Sequence, residues 1–411
     1  MTAQKILFLV LDGISDRPCD ALGGLTPLQA ASTPVLDQLA KEGVCGIMDT
    51  IAPGIRPGSD TAHLSLLGYP PEKYYTGRGP LEAEGCFINM EAGMIGFRAN
   101  FATLDENGSI IDRRAGRIPS TAPLCEAVRE GVDLSAYNLE FFFEPGAGHR
   151  AALAFKGEGL GAHVTSNDPK HEFLPPLPVR PMTEAGSDHR TAEAANEFIR
   201  QSQEILSDHP LNKKRENEGL MPANIVLIRG AGIMGRFEPF SEKWKMTGSV
   251  ISAAALISGI GSVAGLERIA VPGITGSADS NLDAKMAAAE RELERKDFVL
   301  VNIKGADEFG HDGKAGEKRD FIEVIDRALA PLTRRSDIII AICSDHTTPC
   351  CAKDHTGDPV PLLIRGPGVR TDLVSSFDEI SCATGGINRI RGQDLMPILV
   401  DLINRSDKYG A

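Results

Sequence analysis

Aspartate and histidine residues recur in short clusters that could bind metal ions. Six side chains form these clusters: Asp12, Asp307, His311, Asp345, His346 and His355. Carboxylate oxygens and imidazole nitrogens, with no thiolate in the pattern, suit manganese, zinc, cobalt and similar divalent ions. Any one of these residues alone could instead cap a helix or lie on the surface. Together they predict a metal site, and two ions a few ångströms apart could clamp an in-line phosphoryl displacement.

Spacing indicates how the ligands could be shared between two ions. Asp307 and His311 are four residues apart, so a helical turn would place both on one face. Asp345 and His346 are adjacent, so their side chains must diverge and could serve different ions.

Ser59 is a candidate nucleophile for this chemistry. It follows Pro57 and Gly58 in a predicted turn and leads into a predicted helix. Metal coordination would lower the pKa of its hydroxyl, and amides at the helix start could receive phosphate oxygens. Serine at this position is also a standard helix N-cap, and only the metal cluster favours the catalytic interpretation.

Predicted strands precede most of these residues. Four apolar runs suit strands buried on both faces of a parallel sheet: 6–11, 225–228, 298–303 and 338–343. Three amphipathic segments suit helices between them: 33–42, 282–295 and 321–332. This alternation predicts an α/β sandwich, in which ligands gather beyond the carboxyl ends of the strands.

The middle of the chain has a different pattern. Shorter alternating runs, 96–104 and 140–143, replace the continuous apolar ones. We predict an inserted α+β domain over 86–223, and a discontinuous metal-binding domain formed by 1–85 and 224–411. The proline-rich segment 174–181 and the polar segment 212–219 are predicted as loops.

Charge and composition exclude several function classes. The chain has 43 lysines and arginines against 56 aspartates and glutamates, a net charge of −13, so it should repel nucleic acids. An anionic substrate then needs local arginines or metal ions. The eight cysteines lack paired spacing, and the apolar segments 6–11 and 250–264 are too short for a signal sequence or a bilayer span. We expect a soluble cytoplasmic protein without a membrane partner.

Several ordered motifs carry a family resemblance. They are LDG at 11–13, PGSDTAH at 57–63, GRGP at 77–80, DRRAGR at 112–117, PGAGHR at 145–150, DEFGHDG at 307–313, DHTTP at 345–349 and HTGD at 355–358. Over nearly its whole length the chain resembles the archaeal-type 2,3-bisphosphoglycerate-independent phosphoglycerate mutases of the alkaline phosphatase superfamily. The resemblance implies an alkaline-phosphatase-like three-layer α/β/α core, split by an inserted α+β domain that binds the glycerate.

The resemblance also implies roles for individual residues. One ion would be bound by Asp12, Ser59, Asp345 and His346, and the other by Asp307, His311 and His355. Ser59 would accept the phosphoryl group, and no 2,3-bisphosphoglycerate would be needed. Manganese is the ion we expect, with zinc, cobalt and magnesium open.

Arginines of the insertion are candidates to bind the substrate, because guanidinium groups bind carboxylate and phosphate bidentately. The six candidates are Arg98, Arg113, Arg114, Arg117, Arg150 and Arg190, with the cluster 112–117 preferred. We expect only some of them to contact the substrate, a small phosphorylated acid. Proton transfer could involve His63, Asp60 or His149.

The expected reaction is interconversion of 3-phosphoglycerate and 2-phosphoglycerate through a phosphoserine. A phosphatase or phosphonate-cleaving hydrolase on the same core would use the same ligands and nucleophile. A non-catalytic metal-binding protein is a further alternative, against which the intact Ser59 argues. A homo-oligomer is also compatible with the sequence.

Overall fold

The computed structural model describes residues 4–408 and 410, and the chain divides into two compact units. The first unit combines the chain up to Tyr75 with the chain from Phe237 onward, and the second is Thr76–Arg236. The second unit therefore extends beyond the predicted insertion, 86–223, at both ends.

Thirteen strands lie in the described residues. They are β1 (Ile6–Leu11), β2 (Val44–Asp49), β3 (Ile95–Leu104), β4 (Ile110–Asp112), β5 (Glu140–Pro145), β6 (Arg150–Lys156), β7 (Ile225–Ile233), β8 (Gly248–Ile251), β9 (Glu267–Arg268), β10 (Phe298–Ile303), β11 (Ile339–Cys343), β12 (Val360–Arg365) and β13 (Asn388–Arg391).

Fifteen α-helices lie in the same described part of the chain. They are α1 (Pro27–Ala30), α2 (Pro34–Lys41), α3 (Ser59–Leu66), α4 (Pro71–Tyr74), α5 (Arg78–Gly85), α6 (Ala122–Gly131), α7 (Gly186–Asp208), α8 (Pro210–Asn217), α9 (Phe240–Lys243), α10 (Ala255–Val263), α11 (Leu282–Arg295), α12 (Ala306–Asp312), α13 (Ala315–Ala328), α14 (Glu379–Cys382) and α15 (Gly392–Leu402). Short 3₁₀ helices occur at Asp20–Leu22, Ala115–Arg117, Ser135–Tyr137 and Ala330–Arg334.

An eight-stranded sheet forms the centre of the first unit. Its strand order is β13-β2-β12-β11-β1-β10-β8-β9, and β1 pairs in parallel with both β10 and β11. Strand β12 is antiparallel to both of its neighbours. Three of the four continuous apolar runs predicted as buried strands, 6–11, 298–303 and 338–343, therefore contain the central strands.

Helices cover this sheet because both of its faces are apolar. Leu7, Leu9 and Leu11 of β1 belong to one buried core with residues of α2, α11 and α13. Phe8 and Val10 point to the opposite face, since strand side chains alternate, and they are also fully buried. The α/β fold predicted from the sequence is confirmed.

The predicted parallel strand 225–228 is wrong in its sheet and direction. It is the first half of β7, which pairs antiparallel with β3 in the second unit. Strand β3 also pairs antiparallel with β6 and β4, and β6 with β5, so this five-stranded sheet is antiparallel. A short apolar run indicates burial but does not specify which sheet buries it.

The predicted loop 212–219 is also wrong, because most of it lies in α8. Pro210 occupies the first turn, and the His209 side chain accepts a hydrogen bond from the Leu211 amide. Proline at a helix start and a side-chain cap are strong start signals, and lysine, arginine and glutamate are good helix formers. Polarity alone therefore misled the prediction.

The apolar segment 250–264 is divided between β8 and α10. Among the described residues, no helix combines the length and apolar character that crossing a membrane requires.

Candidate metal centre

The central strands bring the predicted ligands to one edge of the sheet. Leu11, the last residue of β1, lies opposite Ile303 of β10, and Val10 lies opposite Cys343 of β11. The residues that follow these three strands must therefore emerge side by side. Asp12, Lys304 and Asp345 are the charged residues placed there.

Asp12, Asp345 and His346 form the first ligand group. All three are buried, and their candidate ligand atoms lie within 4.8 Å of one another. Asp345 Oδ1 accepts hydrogen bonds from the amides of Gly13 and His346. Asp345 Oδ2 accepts none from the described residues, although His346 Nε2 lies 3.2 Å away. A buried oxygen left in this state fits a cation ligand.

Asp307, His311 and His355 form the second ligand group. Asp307 Oδ1 lies 3.4 Å from His311 Nε2 and 3.6 Å from His355 Nε2. Asp307 and His311 lie on one face of α12, as their spacing predicts. His311 Nδ1 lies 3.0 Å from the Lys353 carbonyl, and His355 Nδ1 lies 2.9 Å from the Pro57 carbonyl. A carbonyl only accepts, so each Nδ1 carries the proton and each Nε2 has a free lone pair for an ion.

Lys304 acts as a cation between the two groups. Its Nζ lies 3.1 Å from Asp12 Oδ1 and 2.6 Å from Asp307 Oδ2. Burial lowers the pKa of Lys304, but Asp12 and Asp307 more than reverse that effect and raise it. The carboxylates of Asp12 and Asp307 therefore already bind one positively charged group, the Lys304 ammonium. With three carboxylates and three imidazoles, the two groups fit divalent ions of the manganese or zinc type.

Asp307 is ionised in this environment. Burial raises its pKa, but the neighbouring His355 ring and the charge of Lys304 outweigh burial, so the pKa is lowered. A carboxylate with a lowered pKa keeps its negative charge at neutral pH, which a metal ligand requires.

Ser59 lies beside the first group, and its hydroxyl does not cap the helix. The N-cap of α3 is Gly58, whose amide and carbonyl both hydrogen-bond to Thr61 Oγ1. Ser59 is the first residue of the helix, and its Oγ lies 3.2 Å from His346 Nε2. The N-cap alternative is therefore wrong, and the hydroxyl is free to approach a ligand or a substrate.

The candidate proton carriers in the first unit are held in buried positions. His63 Nδ1 lies 2.8 Å from the Ser59 carbonyl, and the residue has no exposed surface. Asp60 accepts hydrogen bonds from the Thr61 amide and the Tyr75 hydroxyl. These contacts favour roles in holding the Ser59 turn.

Three of the six candidate arginines surround one cavity in the second unit. Arg114, Arg117 and Arg150 line a volume of about 330 Å³ together with His149. Burial, followed by the charges of Arg150 and Arg114, lowers the pKa of His149 to about 4. His149 is therefore neutral at pH 7, and the arginines supply the positive charge. This cavity suits a small anion.

The other three candidates have partners within the second unit. Arg113 makes two hydrogen bonds, of 3.1 and 2.6 Å, to the carboxylate of Asp168. Arg98 pairs with Glu82, and Arg190 donates to the backbone carbonyls of Tyr137 and Glu158. These contacts indicate structural roles for Arg98, Arg113 and Arg190.

Lys318 contacts residues next to the ligand groups in the first unit. No role was predicted for it from the sequence. It is fully buried, and its Nζ donates to Asp16 Oδ2 at 2.8 Å and to the Ser15 and Thr348 carbonyls at 2.9 Å. A lysine on an amphipathic helix normally indicates solvent exposure, so the sequence carries no signal for this contact. Lys318 joins the segments that follow β1 and β11.

We expect Lys318→Met to lower the free energy of unfolding by about 3–5 kcal/mol, because it leaves the buried Asp16 carboxylate without its positively charged partner. Urea unfolding of the purified protein measures this change. Lys314→Met is the matched control, since that ammonium is half exposed and pairs with exposed Asp312. A loss no larger than that of the control would contradict the structural role of Lys318.

Comparison with known proteins identifies the relatives of this chain. A family model described as 2,3-bisphosphoglycerate-independent phosphoglycerate mutase matches residues 40–212. Curated proteins of that name from Methanoculleus marisnigri and Methanosphaerula palustris are 68% and 63% identical, over the full length of both chains.

Two solved structures share the architecture. A protein from Pyrococcus horikoshii is 36% identical with a TM-score of 0.86, and each chain is covered completely. The cofactor-independent phosphoglycerate mutase of Thermoplasma acidophilum is 38% identical with a TM-score of 0.69, covering 97% of this chain and all of the other.

Proposed function

We propose, since the chain belongs to the family of 2,3-bisphosphoglycerate-independent phosphoglycerate mutases, that it transfers the phosphoryl group through a phosphoserine at Ser59. The chain is an isomerase of the intramolecular phosphotransferase type. The observation that supports the intermediate is the 3.2 Å approach of Ser59 Oγ to His346 Nε2. That approach places a hydroxyl with no capping role beside a buried ligand group.

The two ligand groups are proposed to hold two divalent ions. Asp12, Ser59, Asp345 and His346 would bind one, and Asp307, His311 and His355 the other. Bound ions would lower the pKa of the Ser59 hydroxyl and offset the charge of the phosphoryl oxygens. Manganese is the proposed ion because the ligands are oxygen and nitrogen atoms only, and zinc, cobalt and magnesium are to be compared with it.

The proposed reaction has two halves that use the same serine. Ser59 Oγ loses its proton and bonds to phosphorus, the bond from phosphorus to O3 of 3-phosphoglycerate breaks, and O3 gains a proton. The O2 hydroxyl of the retained glycerate then loses its proton and bonds to phosphorus. The bond from phosphorus to Ser59 Oγ breaks, Oγ regains a proton, and 2-phosphoglycerate forms. The glycerate must stay bound while water is kept out, because water as acceptor would give a phosphatase.

The arginine cavity of the second unit is proposed to bind the glycerate carboxylate. Arg114, Arg117 and Arg150 supply three positive charges beside the neutral His149. A charge-assisted hydrogen bond contributes about 1.5–3 kcal/mol, which is enough to retain a small acid when several act together.

The test of the function is phosphorus NMR of 3-phosphoglycerate with protein stripped of metal and reloaded with manganese, without added 2,3-bisphosphoglycerate. Formation of 2-phosphoglycerate with little free phosphate supports the proposal. Release of phosphate without the isomer would contradict it and favour a hydrolase. Zinc, cobalt and magnesium are tested in the same assay.

We expect Arg150→Met to raise KM for 3-phosphoglycerate about tenfold or more, because one charge-assisted contact to the carboxylate is lost. Steady-state kinetics with the manganese-loaded protein measure this effect. Arg190→Met is the control, since its guanidinium binds backbone carbonyls, and it should lower thermal stability without raising KM. Equal changes in KM for both variants would contradict the assignment of the cavity.

A further inference from the structure

One hydroxyl connects the two ligand groups. Thr348 Oγ1 lies 2.9 Å from His346 Nδ1, and it donates a hydrogen bond of 2.9 Å to Asp307 Oδ1. His346 belongs to the first ligand group and Asp307 to the second. Thr348 has no exposed surface, so water does not compete for these bonds.

The chemistry of the three groups sets the direction of these hydrogen bonds. His346 Nε2 faces Ser59 Oγ and Asp345 Oδ2, each at 3.2 Å, so it is the nitrogen available to an ion. Nδ1 then carries the proton and donates to Thr348 Oγ1. The ionised Asp307 carboxylate can only accept, so the threonine proton points to Asp307 Oδ1.

Thr348 is held rigidly in this position. Its amide donates to the Ser15 carbonyl at 3.2 Å, and its own carbonyl accepts from Lys318 Nζ at 2.9 Å. Gly13 lies against the hydroxyl, since a Cβ added there would come within 2.9 Å of Thr348 Oγ1. Gly310 lies still closer to Thr348, since a Cβ added at Gly310 would overlap the Thr348 carbonyl. The hydroxyl therefore cannot turn away without moving its surroundings.

We propose that Thr348 is a positioning residue whose hydroxyl couples ion binding in one ligand group to ion binding in the other, an inference that rests on the proposed two-ion function. An ion on His346 Nε2 makes the Nδ1 proton more acidic and its hydrogen bond to Thr348 stronger. Hydrogen bonds in a chain polarise one another, so Thr348 becomes a stronger donor to Asp307. Occupation of the first group thereby fixes Asp307 for the second ion.

Thr348→Val tests this coupling because valine keeps the shape of threonine without the hydroxyl. Titration calorimetry of the metal-free protein with manganese gives the number of ions and both dissociation constants. In the wild type we expect two ions that bind with positive coupling. In Thr348→Val we expect ion affinity to fall about 10- to 100-fold, as for other groups that orient metal ligands, with the coupling lost.

Three further variants separate coupling from general damage to the fold. Thr348→Ser keeps the hydroxyl and should bind both ions with wild-type coupling. Thr348→Cys keeps a similar volume but has a weaker hydrogen-bond donor, so its ion affinity and coupling should lie between those of the wild type and Thr348→Val. It replaces the valine variant if that one does not fold. Thr347→Val is the matched control, since its buried hydroxyl donates to the Asp358 carbonyl at 3.2 Å, and it should behave as wild type.

The results distinguish this inference from the proposed function. If the wild type binds fewer than two ions, the two-ion function and the coupling both fail. If the wild type binds two ions and Thr348→Val or Thr348→Cys binds them with unchanged affinity and coupling, only the role of Thr348 fails. A visible absorption spectrum of the cobalt-loaded variants checks the same point, because distorted ligands change its bands.

Discussion

Replacement of Ser59 by alanine is expected to abolish phosphoglycerate mutase activity, with kcat falling about 10⁴-fold or more. Removal of a covalent nucleophile costs several orders of magnitude because the remaining groups still bind the substrate but have no acceptor for the transferred group. Ser59 Oγ is 3.2 Å from His346 Nε2 and has no helix-capping role, so its loss should leave α3 intact.

The measurement is the formation of 2-phosphoglycerate, followed by phosphorus NMR, together with phosphate incorporation into the protein. Wild type should incorporate phosphate and Ser59→Ala should not. Ser65→Ala, in the same helix, is the matched control and should retain activity. A Ser59→Ala variant with near-normal isomerisation would refute the phosphoserine route.

Replacement of Asp307 by asparagine is expected to lower kcat/KM about 10³-fold and to remove one bound ion. Asp307 Oδ1 lies 3.4 Å from His311 Nε2 and 3.6 Å from His355 Nε2, and Asp307 Oδ2 contacts Lys304 at 2.6 Å. A neutral amide removes the negative charge that would balance the proposed second ion, and it weakens the ion pair with Lys304. Electrostatic groups of this type commonly contribute 10²- to 10³-fold each.

Metal content by mass spectrometry and steady-state kinetics test this prediction together. Asp312→Asn is the matched control, because Asp312 lies in the same helix next to His311 but is exposed and pairs with Lys314. It should keep both ions and full activity. An Asp307→Asn variant with two ions and normal turnover would show that this group is not a metal site.

Local sequence patterns were sufficient to predict the central strands and the meeting of the candidate ligands at one edge of the sheet. Strands β1 and β10 have the predicted bounds because they are buried on both faces and need continuous apolar runs. Asp12 directly follows one of these strands, and the Asp307 segment follows the other. Since parallel strands end at one edge of a sheet, chain position alone predicts that these residues meet.

The tertiary structure decided which long-range partners the polar side chains have. Arg113 matches the anion-binding pattern as well as Arg114 does, but it pairs with Asp168, which the chain brings close from 55 residues away. Lys318 carries no sequence signal, and the motif that contains Thr348 gives that threonine no role of its own, because the importance of both residues comes from contacts with Asp16 and Asp307. Strand β7 likewise belongs to the five-stranded sheet of the second unit, because it pairs there with β3. Local spacing determines which side chains share a face, but only the packed chain determines what each one contacts.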